Sequence, residues 1–102
     1  MLKDMRKEAY INAEKNLVEV LDFYMAKLKD SSVETVRHYI SVAEIEMAYE
    51  SFVLSLVEES VELANEHRLI LLELDSRLFL SAEPVFRADF LQVAEKYLNR
   101  LG

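Results

Sequence analysis

A chain of 102 residues that is 52% apolar is long enough for one domain with a buried core, and its lack of cysteine excludes disulfides and thiolate metal sites. Its net charge of −7 argues against binding to nucleic acids and to anionic membranes, because both usually require a basic surface. No apolar run approaches the roughly 20 residues that span a bilayer, and the N-terminal MLKDMRKEAY has charges where a secretory signal needs an apolar run. We therefore expect a single soluble, cytoplasmic domain over residues 1–102, with neither a nucleic-acid nor a membrane partner.

The turn residues that β-sheets require are nearly absent. Glycine occurs once, as Gly102, and proline once, as Pro84. Tight hairpins depend on Gly, Asn or Asp at positive φ. The composition therefore predicts an all-α fold, a compact bundle of four to five short helices.

The first helix is predicted from about Asp4 to Lys29. Its apolar residues recur at intervals of three and four, which is the spacing of one helix face. They are Tyr10, Ala13, Leu17, Leu21, Tyr24 and Leu28, and the face is widened by Val18, Val20 and Met25.

After the first helix, Ser31 and Glu34 have the spacing of a capping box, so a second, short helix is predicted to begin there. It carries Val33, Val36, Tyr39 and Ile40.

A third helix is predicted from about Val42, because Ser41 and Glu44 repeat the capping-box spacing. Its inward face consists of Ile45, Tyr49, Phe52, Val53 and Leu56. No Gly or Pro marks its end, so the sequence leaves open whether the helix continues to Glu66. We expect a break between Val57 and Ser60.

The segment Val61–Leu80 is apolar on more than one side and is predicted as a helix that is buried nearly all round. A buried strand at Leu69–Leu74 is the alternative, although β-branched residues are few there.

The sequence Ser81-Ala82-Glu83-Pro84 predicts the start of a last helix, with Ser81 or Glu83 as the N-cap. This helix is predicted to end near Asn99. Its core side consists of Val85, Phe86, Phe90, Leu91, Ala94, Leu98 and Leu101.

The acidity is concentrated in His38–His67, which is called the acidic stretch below. It contains no lysine or arginine and has seven acids, which are Glu44, Glu46, Glu50, Glu58, Glu59, Glu62 and Glu66. The rest of the chain has 12 acidic and 12 basic residues and is neutral. The stretch includes three like-charged pairs four residues apart, which cost about 1 kcal/mol together on a helix. A concentrated charge without local compensation predicts a surface for a basic partner, whereas the alternative is an ordinary solvated helix face.

No motif for catalysis or metal binding accompanies this acidity. Neither His38 nor His67 has the glutamate three residues before it that carboxylate-bridged di-metal bundles require. The zinc-protease, calcium-loop, phosphate-loop and nucleophile-elbow patterns are absent as well. We expect no catalytic residues, no metal and no cofactor, and hence a binding protein rather than an enzyme.

The run His38-Tyr39-Ile40, followed after a short gap by Glu44-Ile45-Glu46-Met47-Ala48-Tyr49-Glu50, resembles the centre of small helical immunity proteins of bacterial contact-dependent growth inhibition and Maf toxin systems. The resemblance covers about residues 36–56, and Ala43 stands where the family often has glycine. It implies a protein that binds the C-terminal toxin domain of a large secreted effector and neutralises it in the producing cell. Several such toxins look like nucleases, including EndoU-type RNases, and a nuclease surface that grips phosphates is basic.

Together, the charge and the resemblance predict a stoichiometric inhibitor whose acidic helix face docks on a basic nuclease domain, an RNase for instance. Glu46 and Glu50 would be the central contacts, because they flank the apolar face beside Val57, and Tyr49 would pack beneath them or reach the partner. The full set of candidate contacts is His38, Tyr39, Glu44, Glu46, Tyr49, Glu50, Glu58, Glu59, Glu62 and Glu66. Two alternatives stay open: a self-associating helical adaptor, such as a homodimer, that covers apolar surface at Leu69–Leu80, and an acidic mimic of nucleic acid.

Overall fold

Five α-helices build the part of the chain that this computed structural model describes, which is residues 2–78, 81 and 84–99, with side chains from residue 8 onward. They are α1 (Leu2–Tyr24), α2 (Asp30–Ser41), α3 (Ile45–Glu58), α4 (Asn65–Leu78) and α5 (Phe90–Leu98), and a 3-10 turn (Met25–Lys27) follows α1. The described residues contain no strand, so the predicted all-α bundle is confirmed and the alternative of a strand at Leu69–Leu74 is wrong. The radius of gyration of 12.8 Å is that of a compact domain of this length. Among these helices, none is long and apolar enough to cross a membrane.

Helix α3 lies at the centre of the bundle and packs against α1, α2 and α5. The predicted inward face is confirmed, because all five of its members are buried: Ile45, Tyr49, Phe52, Val53 and Leu56. The predicted face of α1 is buried as well, at Ala13, Leu17, Val20, Leu21, Tyr24 and Leu28, while Tyr10 and Val18 are half-buried and Met25 is exposed. Helical periodicity was therefore sufficient to locate the core of the first half of the chain.

The α2–α3 turn places Ala43 in the left-handed region, at a φ of 60°. The N–H of Ala43 donates to the Ile40 carbonyl at 3.0 Å, and the N–H of Glu44 donates to the Tyr39 carbonyl at 2.9 Å. This pair of bonds is a Schellman motif, which satisfies the last carbonyls of α2. The predicted capping box is wrong, because the Ser41 hydroxyl donates back to its own helix and α3 begins three residues later than expected, after Glu44.

The same motif ends α3. Ser60 has a φ of 54°, and the N–H groups of Ser60 and Val61 donate to the carbonyls of Val57 and Leu56 at 3.2 and 2.9 Å. The predicted break between Val57 and Ser60 is thus confirmed. An irregular segment, 61–64, then leads to α4.

Replacing Ala43 or Ser60 by glycine is expected to raise the free energy of unfolding by about 0.5–1 kcal/mol for each change. A left-handed conformation costs a residue with a Cβ about 1–2 kcal/mol, and the greater freedom of glycine in the unfolded chain offsets part of the gain. Chemical denaturation measures the change. As the control, Ala48→Gly within α3 is expected to destabilise by about 1 kcal/mol or more; stabilisation by all three glycines, or by none, would contradict the argument.

The second half of the chain departs from the prediction at both helices. Helix α4 is not buried all round, since Leu69 is 64% exposed. The last helix begins at Phe90 rather than near Pro84, and the segment 84–89 before it is a loop. Of its predicted core side, Phe90, Ala94 and Leu98 are buried, whereas Val85, Phe86 and Leu91 are exposed. Ala82 and Glu83 of the predicted helix start, Leu80 and Leu101 lie outside the described residues.

Candidate partner-binding surface

The fold divides the seven acids of the acidic stretch into three groups by exposure. Glu44, Glu58, Glu62 and Glu66 are exposed, Glu46 and Glu59 are half-buried, and Glu50 is buried. Three ion pairs form among the described side chains, and each joins an arginine to an acid outside the acidic stretch. The exposed glutamates therefore have no cation within salt-bridge distance in the part of the chain that is described.

Glu50 is an internal anchor and only 1% exposed. Its two carboxylate oxygens accept hydrogen bonds from the backbone N–H groups of Val85, Phe86 and Arg87 at 2.7, 2.9 and 2.8 Å. The prediction that Glu50 is a central partner contact is incompatible with this position. The carboxylate instead holds the loop 84–89 against α3.

Tyr49 is also inside, at 0% exposure. Its hydroxyl lies 3.3 Å from both the Leu71 carbonyl and Oδ2 of Asp75, and its ring meets Phe90 edge-on at 6.0 Å between centroids. Burial, and then the charge and hydrogen bond of Asp75, raise the pKa of Tyr49 well above its ordinary value. Tyr49 thus joins α3 to α4 and α5. Of the two predicted alternatives, the one in which Tyr49 reaches the partner is wrong, and Tyr49 packs inside the protein.

The half-buried Glu46 accepts a hydrogen bond from the hydroxyl of Tyr10 at 2.6 Å, which links α3 to α1. It keeps part of its surface in solvent and so remains a candidate contact, although not an isolated charge.

The Glu59 side chain caps the N-terminus of α2, although Glu59 itself lies at the end of α3. One carboxylate oxygen accepts the N–H of Lys29, the N-cap residue, at 2.7 Å, and the other accepts the hydroxyl of Ser32 at 2.6 Å. An anion at a helix N-terminus is favourable because the first N–H groups have no partner within the helix. The predicted capping box at Ser31 and Glu34 is therefore replaced by a carboxylate from the end of α3.

Ser32→Ala is expected to raise the pKa of Glu59 toward the ordinary carboxyl value. The hydrogen bond from Ser32 is the largest cause of the lowered pKa of Glu59, followed on the same side by the bond from the Lys29 backbone. Since the pKa is lower in the folded than in the unfolded state, the stabilisation is present above the unfolded pKa and is lost as pH falls through the folded pKa. An NMR titration of the Glu59 carboxyl measures the shift. Ser31→Ala is the control, and equal pKa values in the two variants would rule out the assigned cause.

The exposed acids lie at the two ends of α3. Glu44 precedes the helix and Glu58 ends it, so about 20 Å of helix separates them. Glu62 lies in the segment 61–64, and Glu66 in the first turn of α4. Glu58, Glu62 and Glu66 thus follow one another around the α3–α4 connection and are called the acidic group below. The acids do not form the single helix face that the sequence predicted.

An exposed aromatic patch adjoins the other end of α3. It consists of the exposed residues His38, Val42, Val85 and Phe86 and of the half-buried Tyr39. The rings of Tyr39 and Phe86, and those of His38 and Tyr39, have centroids 5.6 Å apart, and Phe86 is 48% exposed. Val42 and Val85 are 51% and 48% exposed. Sequence reasoning missed Val85 and Phe86 because it assigned them to the core of a helix; only the bonds to Glu50 bring them here.

The second histidine belongs to the core. His67 is 8% exposed, and its Nδ1 lies 2.9 Å from the Tyr24 hydroxyl, which accepts the N–H of Ala64 at 2.7 Å. Its ring also contacts the ring of Phe23. These contacts fix the 61–64 segment against α1. Among the described side chains, no group of three or more His, Asp or Glu is arranged to hold a metal ion.

Comparisons with known proteins found no family model, no curated protein and no solved structure that matches this chain.

Proposed function

We propose that this protein is an immunity protein, a stoichiometric inhibitor that binds a basic toxin domain, of nuclease type, and neutralises it in the cytoplasm of the producing cell. The observation that carries the proposal is that Glu44, Glu58, Glu62 and Glu66 are exposed and have no ion-pair partner among the described side chains. Solvated helix faces ordinarily combine both signs in stabilising pairs. The resemblance of residues 36–56 to immunity proteins supports the class of partner.

The aromatic patch is the proposed centre of the interface. Aromatic side chains supply much of the binding energy of interfaces when a partner excludes water from them. Tyr39 and Phe86 form such an area, Glu44 and Glu46 are close to it in sequence and carry charge, and the acidic group lies at the far end of α3. Charges at the rim of an interface accelerate association more than they slow dissociation. The proposed site thus keeps His38, Tyr39, Glu44 and Glu46 and replaces Glu50 and Tyr49 with Phe86.

The test uses the toxin domain encoded by a neighbouring reading frame. We expect a one-to-one complex, protection of cells that express both proteins, and slower association at higher salt because salt screens exposed charges. Purified proteins that do not associate at low salt would discard the proposal.

Phe86→Ala is expected to accelerate dissociation of the complex by about 10- to 100-fold, the usual effect of removing a central aromatic contact. The backbone N–H that Glu50 accepts is retained in alanine, so the loop 84–89 keeps its anchor. Surface plasmon resonance measures the rate. Leu69→Ala, at a similarly exposed apolar residue on α4, is the control and should leave it unchanged; an equal effect of both would move the interface to α4.

Self-association remains a second candidate because of one observation, the 64% exposure of Leu69 on α4. Leu69 lies together with Leu72 and Leu98 between α4 and α5, and a contiguous apolar area is a surface that a second copy of the chain could cover. Light scattering after size-exclusion chromatography distinguishes the two functions. A dimer that persists at high salt and is lost in Leu69→Asp favours self-association, whereas a monomer that captures the basic domain favours inhibition.

A further inference from the structure

A cavity of about 420 Å³ lies between α4 and the end of α5, and none of its described lining residues belongs to the acidic group or to the aromatic patch. It is lined by Asn65, Arg68, Leu69, Leu72, Leu98 and Asn99. Its size is within the range of small-molecule sites, and three leucines give it an apolar interior with two amides and one cation. This composition differs from that of the acidic group and from that of the aromatic patch.

Arg68 is the unusual residue of this cavity, because it is a charged residue and yet is only 4% exposed. One Nη donates to the carbonyl of Tyr97, and the other lies 3.3 Å from the carbonyl of Leu63. Nε is buried without a hydrogen-bond partner. A guanidinium has five N–H donors, so these two contacts leave most of its donors without a described acceptor.

The charge of Arg68 has no carboxylate counterpart within ion-pair distance among the described side chains. The Tyr97 carbonyl belongs to the last turn of α5, where the helix dipole favours a cation, and the Tyr97 ring lies 5.7 Å from the guanidinium carbon. Such dipoles compensate a buried charge only in part. A cation that remains short of acceptors beside an apolar cavity therefore fits an anion that brings its own apolar chain.

We propose that this cavity binds a small monocarboxylate with an unbranched apolar chain. The carboxylate takes the unbonded N–H groups of Arg68 in the two-point geometry that guanidinium and carboxylate share. The chain of the ligand lies against Leu69, Leu72 and Leu98, and the amides of Asn65 and Asn99 flank the charged end. The site is independent of the proposed inhibitor function, because it uses none of the residues assigned to the toxin interface.

The experiment titrates the whole protein with sodium octanoate and follows backbone amides by two-dimensional NMR. A ligand of about ten non-hydrogen atoms is expected to have a Kd on the order of 1 mM. The amides of Asn65, Arg68, Leu69, Leu72 and Asn99 should shift with one common Kd. Octan-1-ol and octylammonium have the same chain without the anion, and each should bind at least about tenfold more weakly.

Two variants keep the proposal falsifiable. Arg68→Lys retains the charge and loses the two-point geometry, so octanoate should bind at least about tenfold more weakly. Because Arg68 also bonds the carbonyls of Tyr97 and Leu63, its replacement removes contacts of the fold, so Leu69→Trp serves as the second variant. It leaves Arg68 intact and enlarges an exposed side chain at the cavity, so binding should be lost while the circular dichroism spectrum and melting temperature are retained. Equal binding of octanoate and octanol, shifts confined to other residues, or no shift at millimolar octanoate would each overturn the proposal.

Discussion

Glu50→Gln is expected to lower the free energy of unfolding by about 2–3 kcal/mol, a large effect for a change that preserves the shape of the side chain. The carboxylate accepts three backbone N–H groups with its two oxygens. An amide offers one oxygen and turns an NH2 group, which is a donor, toward N–H groups that are donors as well. At least one N–H of the loop is then left without an acceptor at a buried position.

Glu50→Ala removes every acceptor and also leaves a cavity beside α3, so its cost is expected to reach about 3–4 kcal/mol. Urea denaturation measures both variants. Hydrogen exchange gives a more specific signature, because the amides of Val85, Phe86 and Arg87 should lose protection before those of α3 do. A structural change limited to the loop would leave α1 and α2 protected.

Glu58→Gln is the matched control. The residue is on the same helix and is exposed, so the substitution is expected to change stability by no more than about 0.5 kcal/mol. If Glu50→Gln behaved like this control, with unchanged protection of the loop, Glu50 would not be an anchor. The same physics excludes Glu50→Lys as a test of partner binding, because an ammonium group facing three N–H donors would disrupt the loop whether or not a partner contacts this surface.

The contrast between Glu50 and Glu58 shows how far the sequence alone could predict this surface. Local periodicity correctly predicted the apolar face of α1, the inward face of α3 and the break after it, because each depends on residues within a few turns. The end of α1 was predicted near Lys29 and lies at Tyr24. The carboxylates of Glu50 and Glu59 instead accept hydrogen bonds from donors that lie 27–37 positions away in the chain. No local pattern distinguishes a glutamate at the edge of an apolar face that binds a distant backbone from one that is solvated.

Pro84 misled the prediction for the same reason. A proline that follows a possible N-cap residue, here Ser81 or Glu83, is a local signal for the first turn of a helix. In the folded chain, the N–H groups that follow Pro84 are bonded to Glu50, a contact with a distant helix that no local pattern reports, and the last helix begins only at Phe90. Phe86 was consequently assigned to the core, although it is one of the more exposed aromatic residues.

The exposure of the acidic group was predicted correctly, because these glutamates have no apolar surface that the fold must bury.

Reversing the acidic group is expected to slow association with the basic domain by about 10- to 100-fold at low salt, while the dissociation rate changes little. The variant carries Glu58→Lys, Glu62→Lys and Glu66→Lys. A concentrated field of one sign steers an oppositely charged partner over distances of about a Debye length, roughly 10 Å at 0.1 M salt. The difference from the native protein should therefore shrink as salt is added. Stopped-flow fluorescence measures the association rate directly.

The stability of this variant should be nearly native. The substituted residues are exposed, and no internal hydrogen bond is removed. The helix dipole favours a lysine at position 58, the end of α3, and disfavours one at position 66, in the first turn of α4, so these two effects offset each other. Glu59 is left in place because its carboxylate supports the start of α2. Thermal unfolding verifies that any loss of association has not arisen from an unfolded protein.

The decisive control reverses three exposed glutamates outside the acidic stretch, Glu8, Glu34 and Glu95. Each Glu→Lys change adds two positive charges, so both triple variants take the net charge from −7 to −1. If only the total charge mattered, the two variants would associate equally slowly. Because steering depends on where the field is concentrated, the control should retain most of the native rate. Equal slowing in both would mean that the acidic group is an ordinary solvated surface, and the electrostatic part of the proposed interface would have to be abandoned.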